Sequence, residues 1–222
     1  MNAQPQTPDA GFGRPQFGRL QGPCYPARPV NGGPLPKALP KSGDWTAEGK
    51  YNGWRAWVHN PTGVMFNRKL EPLSITREFQ PALDTLRELP WEWSDVEALE
   101  RRHNIGRGSL ILLDYLPPDP LQIYTVRKSF IHLCAGMKGI EVHKELNRPV
   151  AGDRVYLPMT WRWEGAVELW DILQQCNAAL GCKPGSEFWE GIVAKRNDSI
   201  YPRQRRNAEL DFPFWMKHRW AF

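Results

Sequence analysis

The chain has 222 residues, 41% of them hydrophobic and 11 of them Trp, enough for one ordinary domain or two small ones with a sizeable core. No run of about 18 apolar residues occurs, and residues 1–40 are rich in Pro, Gly and Gln without an apolar signal core. A membrane span is therefore not expected and a cytoplasmic location is, while the formal net charge of +5 favours a polyanionic partner without proving one.

Residues 1–43 read as a Pro/Gly-rich basic leader, extended or disordered. Prolines recur at 23, 26, 29, 34, 36 and 40, and each removes a backbone donor and fixes φ. Neither a helix nor an internal strand suits such a segment. It is expected to be a flexible leader, to lie along the domain surface, or to contact a substrate through Arg14, Arg19, Arg28, Lys37 and Lys41. Residues 44–222 read as one domain.

Residues 54–59 and 64–68 read as strands around the turn Asn60-Pro61-Thr62-Gly63. Residues 78–89 carry Phe79, Leu83, Leu86 and Leu89 at helical spacing, ended by Pro90. Residues 91–99 alternate as a strand, and residues 110–116 form a buried strand stopped by Pro117-Pro118. A short helix is predicted over 129–137, a strand over 155–159, and an amphipathic helix over 166–180 closed by Gly181. Strands follow over 188–195 and 214–220. Strands mixed irregularly with helices, and no visible repeat, indicate an α+β fold with largely antiparallel sheets.

Four cysteines (Cys24, Cys134, Cys176, Cys182) form no Cys-x-x-Cys unit and no histidine lies at zinc-finger spacing, so reduced thiols are expected. His103, His132, His143 and His218 show no metal spacing. The pairs Trp91/Trp93 and Trp161/Trp163 are expected to pack in the core rather than stack on bases. The run Arg203-Gln204-Arg205-Arg206 reads as a solvated loop, or as a phosphate contact if the partner is a polynucleotide.

Three segments carry chemistry: Glu48-Gly49-Lys50-Tyr51-Asn52-Gly53-Trp54-Arg55, Glu190-Gly191-Ile192-Val193-Ala194-Lys195 and Trp215-Met216-Lys217-His218-Arg219. A lysine is a nucleophile only as the free amine, so a nucleophilic lysine needs neighbouring positive charge or desolvation to bring its pKa down from about 10.4. Lys217 and Arg219, two apart, share one side of a strand and could do this for Lys50 while holding phosphate oxygens. Glu190 could hold a divalent metal. In that order, these residues describe a site for attack on a nucleoside triphosphate.

These segments resemble the covalent nucleotidyltransferase superfamily of ATP-dependent DNA and RNA ligases and mRNA capping enzymes, and most of all the ligase adenylation domain. Lys50-Tyr51-Asn52-Gly53-Trp54-Arg55 matches Lys-x-Asp-Gly-x-Arg with Asn52 for Asp. Phe66-Asn67-Arg68 matches the hairpin arginine, Asp95-Val96-Glu97 resembles Asp-Gly-Glu, and Leu113-Asp114 stands where the family has Phe-Asp. The last two segments match Glu-Gly-hydrophobic-Val-x-Lys and Lys-x-Lys/Arg. The resemblance covers residues 44–222.

The resemblance implies a ligase-type nucleotidyltransferase domain of mostly antiparallel sheets flanked by helices. It implies that Lys50 attacks the α-phosphorus of ATP and holds AMP, with Lys217 and Arg219 on the α-phosphate and Glu190 on Mg²⁺ or Mn²⁺. Cofactor-binding roles fall to Glu48, Arg55, Arg68, Glu97, Leu113 and Lys195, with Arg55 and Glu97 at the ribose and Arg68 at a strand 5′-phosphate. Glu92 is the other glutamate candidate beside Glu97. Tyr115, two residues from Leu113, is expected to share its face and to supply the aromatic surface that Leu113 lacks. Nicked duplex DNA is the implied partner. An RNA ligase, another nucleotidyltransferase, or a non-catalytic nucleic-acid-binding component of a replication or repair complex are the alternatives. No C-terminal OB-fold follows residue 219, so the leader or a helper protein is expected to stand in for it.

Overall fold

The computed structural model describes residues 23–35, 44–99, 105–205 and 211–220. The strands form two sheets, in each of which antiparallel pairing dominates. The first has the order β1-β11-β10-β2-β9, built from β1 (Arg28–Asn31), β11 (Asp211–Arg219), β10 (Trp189–Arg196), β2 (Trp45–Tyr51) and β9 (Thr160–Arg162). The second has the order β4-β3-β5-β6-β8-β7, built from β4 (Val64–Asn67), β3 (Trp54–His59), β5 (Trp93–Leu99), β6 (Ser109–Tyr115), β8 (Val155–Pro158) and β7 (Glu141–His143). Parallel pairs are β1 on β11, β8 on β6 and β7 on β8.

Among the described residues three α-helices pack on these sheets: α1 (Gln80–Arg87), α2 (Tyr124–Met137) and α3 (Ala166–Ala179). Leu83 and Leu86 of α1 and Ile131 and Ala135 of α2 meet Val96, Ala98, Leu110 and Leu112 in one core. Leu169 and Leu173 of α3 meet Ile111, Trp189 and Ile192 in a second. Trp91 and Trp93 are buried, and Trp161 and Trp163 pack against the second core, as expected of structural tryptophans. All four cysteines are free. Among the described residues no helix is long and apolar enough to cross a membrane.

The hairpin around residues 60–63 forms as expected, with Gly63 in the left-handed region. Differences arise where tertiary contacts override local pattern. The helix expected at 129 starts at Tyr124, because Arg127 and Lys128, which break its apolar pattern, are both buried. Lys50 lies near the end of strand β2, and Asn52-Gly53 makes the turn that follows.

The leader expected over 1–43 contains part of the folded body. Cys24 and Ala27 are buried, Tyr25 bridges Gln204, and Arg28–Asn31 is an edge strand on β11. An edge position is where prolines are tolerated, since one side of the strand makes no ladder. Arg14, Arg19, Lys37 and Lys41 lie outside the described residues.

Candidate active site

A cavity of about 480 Å³ opens between the two sheets, lined on one side by Glu48, Lys50, Glu190, Lys195, Lys217 and Arg219 and on the other by Arg55, Glu97 and Leu113. Arg68 and Lys69 stand at its rim, just past the end of β4. The five-stranded sheet brings its groups together by register: Lys50 opposes Gly191 and Glu48 opposes Val193 across β2 and β10, while Val193 opposes Lys217 and Gly191 opposes Arg219 across β10 and β11. Residues 140 and more apart in sequence thus become neighbours on adjacent strands.

Lys50 Nζ is ion-paired to Glu190, with side chains 17% and 18% exposed. Arg219 reaches the same Glu190 oxygen at 3.0 Å. Gly191 sets this geometry. Its φ is +145°, and a Cβ there would lie 1.9 Å from the His218 carbonyl oxygen, so β10 can approach β11 this closely only with glycine after the carboxylate. Lys217 has its pKa lowered by burial first, then by the charges of Arg219, Arg28 and Lys50, against the opposing pull of Asp211.

Deeper in the cavity, Glu48 Oε2 meets Lys195 Nζ at 2.8 Å, and Oε1 accepts from Lys128 Nζ at 2.8 Å and from the Tyr124 hydroxyl at 2.7 Å. Burial alone would raise the Glu48 pKa, but the two lysines outweigh it and bring it down to about 2. Lys128 has the opposite balance: burial, aided by Lys195, lowers its pKa despite Glu48. Lys195 also donates to the Leu113 carbonyl at 3.2 Å and lies 4.5 Å from the centre of the Trp215 ring.

On the facing sheet, Glu97 Oε1 accepts from the Gly53 N–H at 3.0 Å, and its pKa is raised, chiefly by burial. A Cβ at Gly53 would sit 2.8 Å from the Glu97 side chain, so the turn after Lys50 is a fitted seat for this carboxylate. Glu92, the other candidate, points away to His59 and does not line the cavity. Arg55 lines the cavity but is committed to protein partners. Its Nε and Nη2 donate to Asp95 at 2.9 Å and 2.5 Å, and Nη1 donates to the Ala27 carbonyl. Asn52 does not line the cavity; its amide donates to the Glu187 carbonyl at 2.8 Å, so the Asp-to-Asn departure falls in a structural turn.

Tyr115 is a correction. It does not share the face of Leu113: it is buried, stacked on Trp91 at 4.7 Å and bonded to Gln122 at 2.6 Å, in the core under α1 and α2. The β5–β6 register explains this. Asp95 pairs with Asp114 and Val96 with Leu112, which leaves Leu113 as the extra residue of a bulge. One extra residue reverses the alternation beyond it and sends Tyr115 to the opposite face.

Some partners carried no signal in the sequence. Tyr124 and Lys128 complete the site beside Asp95, and the wholly buried pair Arg127–Asp114, at 3.0 Å, locks α2 to β6. Arg203 is tied to the Pro117 carbonyl rather than free in a loop, and Arg206 lies outside the described residues. Among the described residues no cluster of three His, Cys, Asp or Glu could hold a metal. Glu190 is a single carboxylate, which fits a hard cation bound jointly with substrate phosphates rather than in an all-protein cage.

No protein-family model matches the sequence, and no curated protein matches it. Solved structures do. A Chlorella virus DNA ligase–adenylate superposes with a TM-score of 0.54 and 16% identity, over 89% of this chain and 68% of its own. The ligase domain of M. tuberculosis LigD gives 0.57 and 18%, over 88% and 60%. A mycobacterial DNA ligase D complexed with ATP and MES gives 0.52 and 17%, over 90% and 60%. The chain has the ligase-type nucleotidyltransferase fold, α+β, and spans 60% to 68% of the length of these three chains.

Proposed function

We propose that the chain is an ATP-dependent polynucleotide ligase that joins a 5′-phosphate to a 3′-hydroxyl, most readily at a nick in duplex DNA, through AMP held on Lys50. The observation that carries it is Lys50 Nζ in the cavity between the sheets, paired to Glu190 and flanked by Lys217 and Arg219 on the same sheet. A structural lysine has no need of an open cavity lined by further cations.

Lys50 first gives its ammonium proton to solvent by way of Glu190, and the free amine forms the P–N bond to the α-phosphorus. The α–β bridging P–O bond breaks, its electron pair leaves with pyrophosphate, and the nitrogen sheds one proton to solvent. Lys217 and Arg219 hold the α-phosphate oxygens as charge moves. Glu97, fixed by Gly53, accepts from a ribose hydroxyl, and the Lys195–Glu48 pair and Leu113 form the deep wall for the base. Arg55 acts through Asp95 as a positioning residue at the edge of the ribose site. Bound with the substrate phosphates at Glu190, Mg²⁺ or Mn²⁺ would neutralise charge on them. Arg68, exposed at the rim, meets the 5′-phosphate of the strand that receives AMP.

Incubation with ATP labelled at the α-phosphate and Mg²⁺ tests this. A protein-bound label should survive detergent, be released by mild acid as a P–N bond requires, and vanish in Lys50→Ala. Absence of label in the wild type removes every enzymatic reading and leaves a nucleic-acid-binding protein. With label present, sealing of nicked RNA but not nicked DNA would replace the DNA assignment.

A further inference from the structure

The segment 24–33 is fastened to both sheets. The Trp57 indole donates to the Cys24 carbonyl at 2.7 Å, Arg55 donates to the Ala27 carbonyl, and the Ala27 N–H donates to the Tyr201 hydroxyl at 3.3 Å. Further along, Asn31 pairs with Lys217, the Gly32 N–H donates to the Lys217 carbonyl at 3.0 Å, and His218 Nδ1 lies 2.8 Å from the Gly33 carbonyl. This edge strand therefore runs against the very strand that carries Lys217 and Arg219, and Pro26, Ala27, Arg28 and Pro29 line the cavity.

Arg28 is the cation that this strand delivers. Its Nε meets Asp211 at 2.8 Å, with side chains 57% and 65% exposed. An exposed pair of this kind is weak, and its guanidinium can exchange a carboxylate for a phosphate presenting the same paired oxygens. Its charge is close enough to contribute to the lowered pKa of Lys217. Lys50 and Lys217 sit further in, and a triphosphate whose α-phosphorus reaches Lys50 with its base in the deep wall must carry its remaining phosphates toward the rim.

We propose that Arg28 binds the outer two phosphates of the nucleoside triphosphate, the pair that departs as pyrophosphate. This rests on the nucleotide-transfer chemistry proposed above and adds a binding residue from the N-terminal strand. Arg28 releases Asp211 when the triphosphate enters and returns to it when pyrophosphate leaves. It serves attachment of AMP to Lys50 and its reversal, and has no part in transfer from Lys50 onward.

Calorimetry with inorganic pyrophosphate and with AMP, on wild type, Arg28→Ala and Arg28→Lys, tests this. Loss of a charge-assisted contact should weaken pyrophosphate binding about 10- to 100-fold in Arg28→Ala and less in Arg28→Lys, with AMP binding unchanged. Preloaded lysyl-AMP enzyme should then show slowed release of ATP on adding pyrophosphate, with strand sealing at the wild-type rate. Equal loss of AMP and pyrophosphate binding would mark a merely structural role and overturn the assignment, as would no loss of either. Asp211→Ala, which frees Arg28, should bind pyrophosphate at least as tightly as wild type; a 10-fold loss there would also overturn it. If the wild type forms no lysyl-AMP, the ligase reading fails, and pyrophosphate against AMP binding still decides on Arg28.

Discussion

Two sets of ion pairs, one reaching the cavity through Glu48 and Lys195 and the other through Lys50, Glu190 and Arg219, differ in burial. In the interior, Glu48 is shared by Lys128 and Lys195, and Asp114 pairs with Arg127, with almost no exposure on any member. Nearer the mouth, Lys50, Glu190 and Arg219 form a similar carboxylate–cation cluster with side chains 17%, 18% and 40% exposed. The residue types are the same. Buried pairs are costly to break, because a partner left behind is an uncompensated charge in a low dielectric. Pairs that retain contact with solvent can be exchanged cheaply for substrate groups. The interior set is thus suited to holding β2, β6, β10 and α2 in register, and the outer set to exchanging its contacts for the phosphates of the proposed nucleotide.

The sharpest way to break this contrast is to neutralise one carboxylate in each set. Glu48→Gln should lose about 3–5 kcal/mol of stability, read from the urea midpoint, because two buried lysines lose their anion. Glu190→Gln should cost less stability than Glu48→Gln, because its cluster keeps contact with solvent, yet abolish the protein-bound AMP label. Equal stability losses in the two variants would mean that the outer cluster is as structural as the inner one.

Acid sharpens the same distinction. The Glu48 carboxyl has a folded-state pKa of about 2 against an ordinary 4.5. A lowered carboxyl pKa contributes stability above the ordinary value, and that contribution is lost as pH falls from 4.5 through about 2. Its size is about 3 kcal/mol, and the wild type should lose it over that window while Glu48→Gln does not. Parallel stability–pH curves for the two proteins would refute the role of Glu48 as the interior anion.

The smallest expected effect concerns Tyr115. Tyr115→Phe removes its bond to Gln122 and should cost about 1 kcal/mol with no change in ATP concentration dependence of labelling, since the ring faces the α1/α2 core. A several-fold rise in the ATP needed for half-maximal labelling would put the ring back in the cavity.

Local pattern carried much of the fold. Alternation marked β5, a continuous apolar run stopped by Pro117-Pro118 marked β6, the Asn-Pro-Thr-Gly turn marked the β3–β4 hairpin, and the apolar period of residues 166–180 marked α3, observed as Ala166–Ala179. Short strands carried too little pattern: β7, β9 and the proline-bearing β1 gain their hydrogen bonds only from distant neighbours. Polar residues misled where burial was paired, as with Arg127 and Lys128 at the start of α2.

The candidate residues themselves were legible because their chemistry sits in short contiguous segments, and the structure places Lys50, Glu190, Lys217, Arg219, Glu97 and Leu113 around one cavity. Their partners were not, because Tyr124 and Lys128 are ordinary residues until the packing of α2 brings them to Glu48. Sequence by itself determined which side chains could carry nucleotide chemistry and the alternation that makes the strands. Only tertiary structure decided that a bulge at Leu113 turns Tyr115 away, that Arg55 is held by Asp95, and that residues 26–29 line the cavity. The physical reason is that register and burial depend on contacts between residues far apart in the chain, and no local period encodes them.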